Sequence, residues 1–217
     1  HLTDDAAYAR RGAMLVRAWF LDPATRMNPH LRFAQSIPGV TEGRGIGIID
    51  SRDLPRVLDA VALLRGSGAW TDADHTALAA WVRTFLDWLV TSENGKDEAD
   101  EPNNHGVWYD AQVAPLALWG GDSALARRIL TVDAPRRMEA QIAASGELPH
   151  ETARTRPLHY SLFTIEPFQR LAEVGRHLGV DLWRHRTPSG GTLLAAMRFL
   201  APHADPANPY PKPDVSP

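Results

Sequence analysis

Apolar side chains recur along most of the chain three and four residues apart, the spacing of helices with one buried face. Tyr8, Gly12, Leu15 and Trp19 form the first such stripe, which Asp22-Pro23 ends. A polar, glycine-rich stretch follows, from Asn28 to Asp50. Ser51 to Leu64 reads as the next helix, closed by Gly66-Ser67-Gly68. Thr71 with Asp74 three residues later is a helix-start signal, and the apolar face behind it is Leu78, Trp81, Phe85, Trp88 and Leu89. The stretch from Glu93 to Glu101 is acidic and contains a glycine, and reads as a loop. Periodicity returns from Asn104 to Trp119, then from Ser123 to Ala144 with a break near Pro135. Two further helices run from Ser161 to Leu178 and from Thr192 to Leu200. Strand-like alternation is missing, and only Ile46 to Ile49 reads as a short extended segment. The expected class is therefore all-α. It is built of helical hairpins with uneven loops, as in an α/α toroid or a solenoid, and the lack of a fixed-period repeat weighs against the solenoid. One domain over residues 1–217 is expected, with a proline-rich tail from Ala201.

Composition narrows the chemistry. The chain has 217 residues, 44% of them hydrophobic, and a net charge of −3. No apolar run approaches the ~20 residues of a membrane span, and the charge balance excludes a general nucleic-acid surface. There is no cysteine, which removes disulfides, thiol nucleophiles and thiolate metal sites. Among the 23 basic residues, Lys96 and Lys212 are the two lysines and the rest are arginines. That bias is first of all compositional, but a guanidinium also suits carboxylate recognition through its bidentate fork.

Three polar clusters stand out. The first is Asn103-Asn104-His105-Gly106-x-Trp108-Tyr109-Asp110-x-Gln112, which opens a helix just after Pro102. A single Asn there is a plain cap. A second amide, an imidazole and two aromatics exceed what a cap needs. The aromatics read equally as sugar-stacking platforms or as core. The second cluster is His150-Glu151-x-x-Arg154-x-Arg156-Pro157-x-His159-Tyr160. His150-Glu151 suggests a zinc-binding HExxH motif, but position 154 is Arg, so no metal site is expected. The third is the glycine-rich loop with Asn28, Gln35 and Arg44, where Gly43, Gly45 and Gly47 lack the spacing of a phosphate cradle. A substrate-contact role is expected for Asn28, Gln35 and Arg44.

Asn, His, Arg and Tyr without thiol or metal suit β-elimination from a uronic acid. The C5 hydrogen lies beside a carboxylate and is poorly acidic. An amide, an imidazole and a guanidinium aimed at that carboxylate would stabilise the developing enolate. A Tyr can then take the C5 proton and return one to O4. Where the C5 hydrogen and O4 share a face, as in mannuronate and glucuronate, one group can do both. In guluronate they lie on opposite faces and two groups must divide the work.

The first two clusters carry a resemblance. The first resembles the NNHG-W-YD-Q signature of the alginate-lyase superfamily of polysaccharide lyases, and Arg154-Thr155-Arg156-Pro157-Leu158-His159-Tyr160 resembles its companion R-x-R-x-L-H-Y block. The run Trp19-Phe20-Leu21-Asp22-Pro23-x-Thr25-x-Met27-Asn28-Pro29, with Ala34-Gln35 and Gly43-Arg44-Gly45-x-Gly47, is similar to that family too. The variants fit its mannuronan and glucuronan branch. The resemblance implies an α/α toroid and an anionic polysaccharide substrate. It implies that Asn104, His105 and Arg154 neutralise the carboxylate and that Tyr160 is base and acid, with no cofactor. Arg156 remains beside Arg154 as a candidate for the guanidinium. Asn103, Trp108, Tyr109, Gln112, His150, Glu151, Arg156 and His159 are expected to line the substrate site.

Against that family the chain, which opens at His1 almost directly into a helix, is expected to lack an N-terminal part and one wall of the cleft. A periplasmic or secreted location and a monomer or weak oligomer are expected. Two rivals remain at this level. One is an inverting glycoside hydrolase using a pair among Glu42, Asp50, Asp110, Glu151 and Glu166. The other is a module that binds polyuronate without cleaving it.

Overall fold

The computed structural model describes residues 5–215, and the fold among them is all-α. Ten α-helices run in chain order: α1 (Ala6–Phe20), α2 (Leu54–Leu64), α3 (Asp72–Thr91), α4 (Glu93–Asp100), α5 (Asn104–Gly120), α6 (Ser123–Arg128), α7 (Ala134–Gln141), α8 (Pro149–Thr152), α9 (Pro157–His177) and α10 (Leu193–Leu200). Contacts divide the chain into two units, residues 1–96 with 115–122, and residues 97–114 with 123–217. No described helix is long and apolar enough to cross a membrane.

In the first unit the helix starts lie where the polar signals fall. The Asp5 side chain accepts from the Ala7 amide (2.8 Å) and caps α1. Thr71 and Asp74 form a reciprocal capping box on α3. Asp74 is also gripped by Arg17 of α1, through Nε at 2.8 Å, and Arg17 Nη2 reaches the Ala69 carbonyl at 2.6 Å. The Arg17 hydrogen bond holds the Asp74 carboxyl well below the usual carboxylate range. Behind this pair lies an aromatic core. Phe20 meets Trp81 edge-on at 4.7 Å, Trp81 stacks on Phe85 at 5.2 Å, and Trp81 Nε1 donates to the Met27 carbonyl at 2.9 Å. Thr71→Ala removes one half of the box and is expected to destabilise the chain by about 1 kcal/mol, read from denaturant unfolding; an unchanged midpoint would show that the box contributes nothing.

The glycine-rich stretch folds back on itself. The Arg44 amide donates to the Ala34 carbonyl at 3.1 Å, and Ile37 and Thr41 pair in a single bridge. A Cβ at Gly43 would enter the Arg32 carbonyl, and one at Gly47 would press on the Ala34 backbone. These glycines therefore serve close backbone approach. Ile46 to Ile49, expected as extended, instead lie in a 3₁₀ turn (Gly45–Ser51) that buries Ile48 and Ile49. A four-residue apolar run does not separate strand from helix, and no second strand is present among the described residues to pair with it.

Further along the chain two boundaries depart from expectation. Glu93–Asp100 is a helix, where a loop is expected. It lacks an apolar face, which is the signal periodicity reads. Its start is fixed instead by Ser92, whose Oγ accepts from the Gly95 amide at 3.0 Å. Gly95 also sits so close to the Leu89 carbonyl that a Cβ would collide with it. Helix α9 starts at Pro157, four residues before the expected start. Proline fits a first helical position because its missing N–H has no partner to lose there. The shift places His159 and Tyr160 on the first turn of a helix. The stretch from Ser123 to Ala144 divides as expected, into α6, one wider turn (Ile129–Asp133) and α7. Helix α5 buries Val107, Trp108, Ala111, Val113 and Ala114 around most of its circumference. Trp108 meets Phe163 of α9 at 5.1 Å. The proline-rich tail turns back over the α8–α9 connection: the Val215 amide donates to the Thr155 carbonyl at 2.8 Å, and Asp214 pairs with Arg156 at 3.6 Å.

Candidate active site

The site residues of the second unit gather where α5 and α9 begin. Helix α5 starts on a capped amide: Asn103 Oδ1 accepts from the His105 amide at 2.9 Å, and Asn103 Nδ2 donates to Glu101 at 3.1 Å. Asn103 thus performs the plain cap function. Asn104 is 1% exposed and Glu151 of α8 is fully buried. The Glu151 carboxylate accepts from the Asn104 amide N–H at 2.7 Å, and from Asn104 Nδ2 at 3.2 and 3.1 Å through its two oxygens. A carboxylate only accepts, so Asn104 must turn its NH₂ group toward it. His105 is held in the same manner from α4. Its Nδ1 lies 3.0 and 3.2 Å from the two oxygens of Glu98, which is fully buried. Burial pushes the Glu98 carboxyl upward, and His105 opposes that shift.

A buried ion pair clamps this corner. Arg137 of α7 reaches Asp110 through Nε at 2.6 Å and Nη2 at 3.3 Å. The same guanidinium donates to the Ala99 carbonyl at 2.7 Å and the Glu101 carbonyl at 3.2 Å. Gln141 adds a bond from Nε2 to the Asn103 carbonyl at 3.3 Å. The turn from α4 into α5 is therefore tied to α7 at three carbonyls. Gly106 belongs to this fit, since a Cβ there would run into the Arg137 guanidinium and the Glu101 carbonyl. Burial pushes the Asp110 carboxyl up to about 6, against the pull of Arg137.

The second half of the site comes from α8 and α9. The Arg154 amide donates to the Glu151 carbonyl at 3.0 Å, so the residue that orients Asn104 also ends the turn that carries Arg154. The Arg154 guanidinium lies 4.1 Å from the centre of the Tyr160 ring, and Tyr160 is half-buried. That distance is within the range of a cation–π contact. The two helix starts are coupled one turn further on. Trp108, four residues after Asn104, packs on Phe163, and Phe163 stacks on His159 at 6.0 Å.

The family model for alginate lyase matches residues 1–209. The chain belongs to the alginate lyase family. An alginate lyase from Bacteroides ovatus, solved by crystallography at 1.60 Å resolution, superposes with a TM-score of 0.92 at 32% sequence identity. The match covers 98% of this chain and 57% of that one, so the chain spans little more than half the length of that lyase. Its helical fold agrees with the all-α class expected from the sequence. No curated protein matches the chain.

Within this alginate lyase fold, several residues expected to line a substrate site lie elsewhere. Trp108 is fully buried and Tyr109 is 8% exposed, so neither offers a face for a sugar. Burial raises the Tyr109 hydroxyl well above the usual phenol range. Gln112 is fully buried, and its Nε2 bonds the Trp108 carbonyl at 3.2 Å. These three positions build the core on which the helix starts are mounted. Glu151 acts on Asn104 and does not face solvent. Arg156 is exposed and pairs with Asp214, while Arg154 is the guanidinium that meets Tyr160. His150 and His159 are exposed. Asn28, Gln35 and Arg44 belong to the first unit. There Arg44 donates to the Gln35 carbonyl and side-chain oxygen at 3.2 and 3.1 Å, and Gln35 Nε2 lies 3.4 Å from Asp50. Gln35 adopts φ 51°, a conformation a non-glycine residue rarely takes. Asn28 is exposed.

Glu98 and Arg137 are the residues that sequence reading misses. Glu98 lies in a segment without apolar periodicity, and Arg137 is one of many arginines. The sequence carries no signal that pairs Glu98 with His105 across a helix break.

Proposed function

We propose that this chain cleaves a β-1,4-linked polyuronate by β-elimination, on substrates such as mannuronan, alginate or glucuronan. The observation that supports this best is the set formed by Asn104, His105, Arg154 and Tyr160 around the starts of two packed helices, with the Arg154 cation on the Tyr160 ring. Family membership and the likeness to a solved alginate lyase point the same way.

In this reading the substrate carboxylate meets the Asn104 amide, the His105 ring and the Arg154 guanidinium. Tyr160, as the oxyanion, takes the C5 proton. The electron pair left at C5 forms the C4–C5 double bond as the C4–O4 bond breaks, and the Tyr160 proton passes to O4. The phenolate is regenerated and no water is consumed. Because one group both takes and returns the proton, the preferred residues are those whose C5 hydrogen and O4 share a face, namely mannuronate and glucuronate.

The glycosidase alternative finds little support among the described carboxylates of the second unit. Asp110 is engaged by Arg137, Glu151 by Asn104, and Glu166 by Arg170 at 2.6 Å. The test is incubation with polymannuronate and with glucuronan. Ultraviolet absorbance of the unsaturated uronate is expected to rise with at least one of them, and the summed mass of the products should equal that of the substrate. A gain of one water per cleavage would select the hydrolase. Binding without turnover would select the non-catalytic module.

A further inference from the structure

We propose that Glu98 is a positioning residue of this elimination: it fixes the ring of His105 with Nδ1–H turned inward and supplies the counter-charge that lets His105 meet the substrate carboxylate as imidazolium. The inference rests on the lyase reading given above. Its geometry is that of the Glu98–His105 pair, with Glu98 fully buried, His105 18% exposed at its side chain, and both carboxylate oxygens within 3.2 Å of Nδ1.

The consequence follows from the hydrogen count of an imidazole. A ring nitrogen facing a carboxylate must carry the proton, so Nδ1 is the donor in this pair. A neutral His105 has then used its one N–H, and its outward Nε2 presents a lone pair. A lone pair repels the carboxylate that the site must neutralise. Only the doubly protonated ring presents an N–H outward, and that form carries a full positive charge. Glu98 is what makes that charge tolerable. It is buried on α4 with both oxygens within 3.2 Å of the ring, so the imidazolium form of His105 would be the charge that balances it. The Arg137 guanidinium, which binds the Ala99 and Glu101 carbonyls, is neutralised by Asp110. Glu151 stands behind Asn104 in the parallel position, but its partner there is a neutral amide, so it orients without setting a charge.

Two variants and two measurements test this. At a pH where the ring is neutral, ¹⁵N spectra of histidine-labelled protein, assigned with His105→Gln, are expected to show the proton on Nδ1 in the parent chain and in Glu98→Gln, because the Gln side-chain oxygen still accepts. In Glu98→Ala the proton is expected to move to Nε2, the tautomer that free imidazole side chains favour. On polymannuronate, kcat/KM of Glu98→Gln is expected to fall by about tenfold, the difference between a charge-assisted and a neutral hydrogen bond. The fall in Glu98→Ala should be larger. The idea is overturned by a neutral ring protonated on Nε2 in the parent chain, by an unchanged tautomer in a folded Glu98→Ala, or by a parent-like kcat/KM in Glu98→Gln. If neither variant folds, the parent spectrum alone decides. If the parent chain cleaves no polyuronate, the lyase reading fails by itself, and the tautomer measurement still decides whether Glu98 orients His105.

Discussion

Tyr160→Phe is expected to lower kcat on polyuronate by about 10³-fold, within the range that one general acid–base group supplies. In the proposed mechanism the substitution removes the oxygen that takes the C5 proton and returns one to O4, and it leaves the ring under Arg154 unchanged. The fold should be retained, because the aromatic face and its place on the first turn of α9 are the same in Phe. Circular dichroism checks the fold and the absorbance assay checks the rate. A folded variant that turns over at the parent rate would show that the proton travels by another group. The reading also separates Tyr160 from its neighbour: His159 is exposed and stacked on Phe163, so removing its ring should affect the rate far less.

Arg137→Ala is expected to destabilise the chain by about 3–5 kcal/mol at neutral pH, since it strands a buried carboxylate. Asp110 is 3% exposed, and its counter-charge is Arg137. The same change frees the Ala99 and Glu101 carbonyls, so the turn that carries Asn104 and His105 loosens as well. The loss depends on pH in a direction that follows from the Asp110 carboxyl, which burial pushes up to about 6. The folded chain holds that proton where the unfolded chain, titrating near the ordinary carboxylate value, has already lost it. Stability from this group is therefore present in acid and falls as pH rises toward 6. Above that the carboxylate is charged and needs Arg137. Below it the neutral acid does not, so the penalty of Arg137→Ala should shrink between pH 7.5 and pH 5. Denaturant unfolding at the two pH values measures this, and an equal loss at both would show that Asp110 is not the group responsible.

Much of the helical frame can be read along the chain. Thr71 with Asp74, the stripe from Leu78 to Leu89, and the break near Pro135 place their elements directly, because caps, periodicity and proline act over three or four residues. The first helix ends at Phe20, just before the expected stop at Asp22-Pro23. The failures share a cause. Helix α4 has no apolar stripe and depends on Ser92 and a close approach at Gly95, and Ile46 to Ile49 form a run too short to show a period.

The site divides in the same way. Residue types along the chain suggest a uronate elimination, and the family resemblance singles out Asn104, His105, Arg154 and Tyr160 for it. Spacing does not say which of two arginines meets the tyrosine, and contact with the Tyr160 ring assigns Arg154 while Asp214 engages Arg156. Nor does sequence separate a sugar platform from a core residue, since an aromatic on a helix suits either. Burial decides it for Trp108 and Tyr109. The carboxylates Glu98 and Glu151, which hold His105 and Asn104, come from α4 and α8. Their roles arise only when separate helices pack. A hydrogen bond between distant segments leaves no periodic trace in a chain, so the candidate polar clusters can be read from sequence while the carboxylates that hold them appear only in the folded structure.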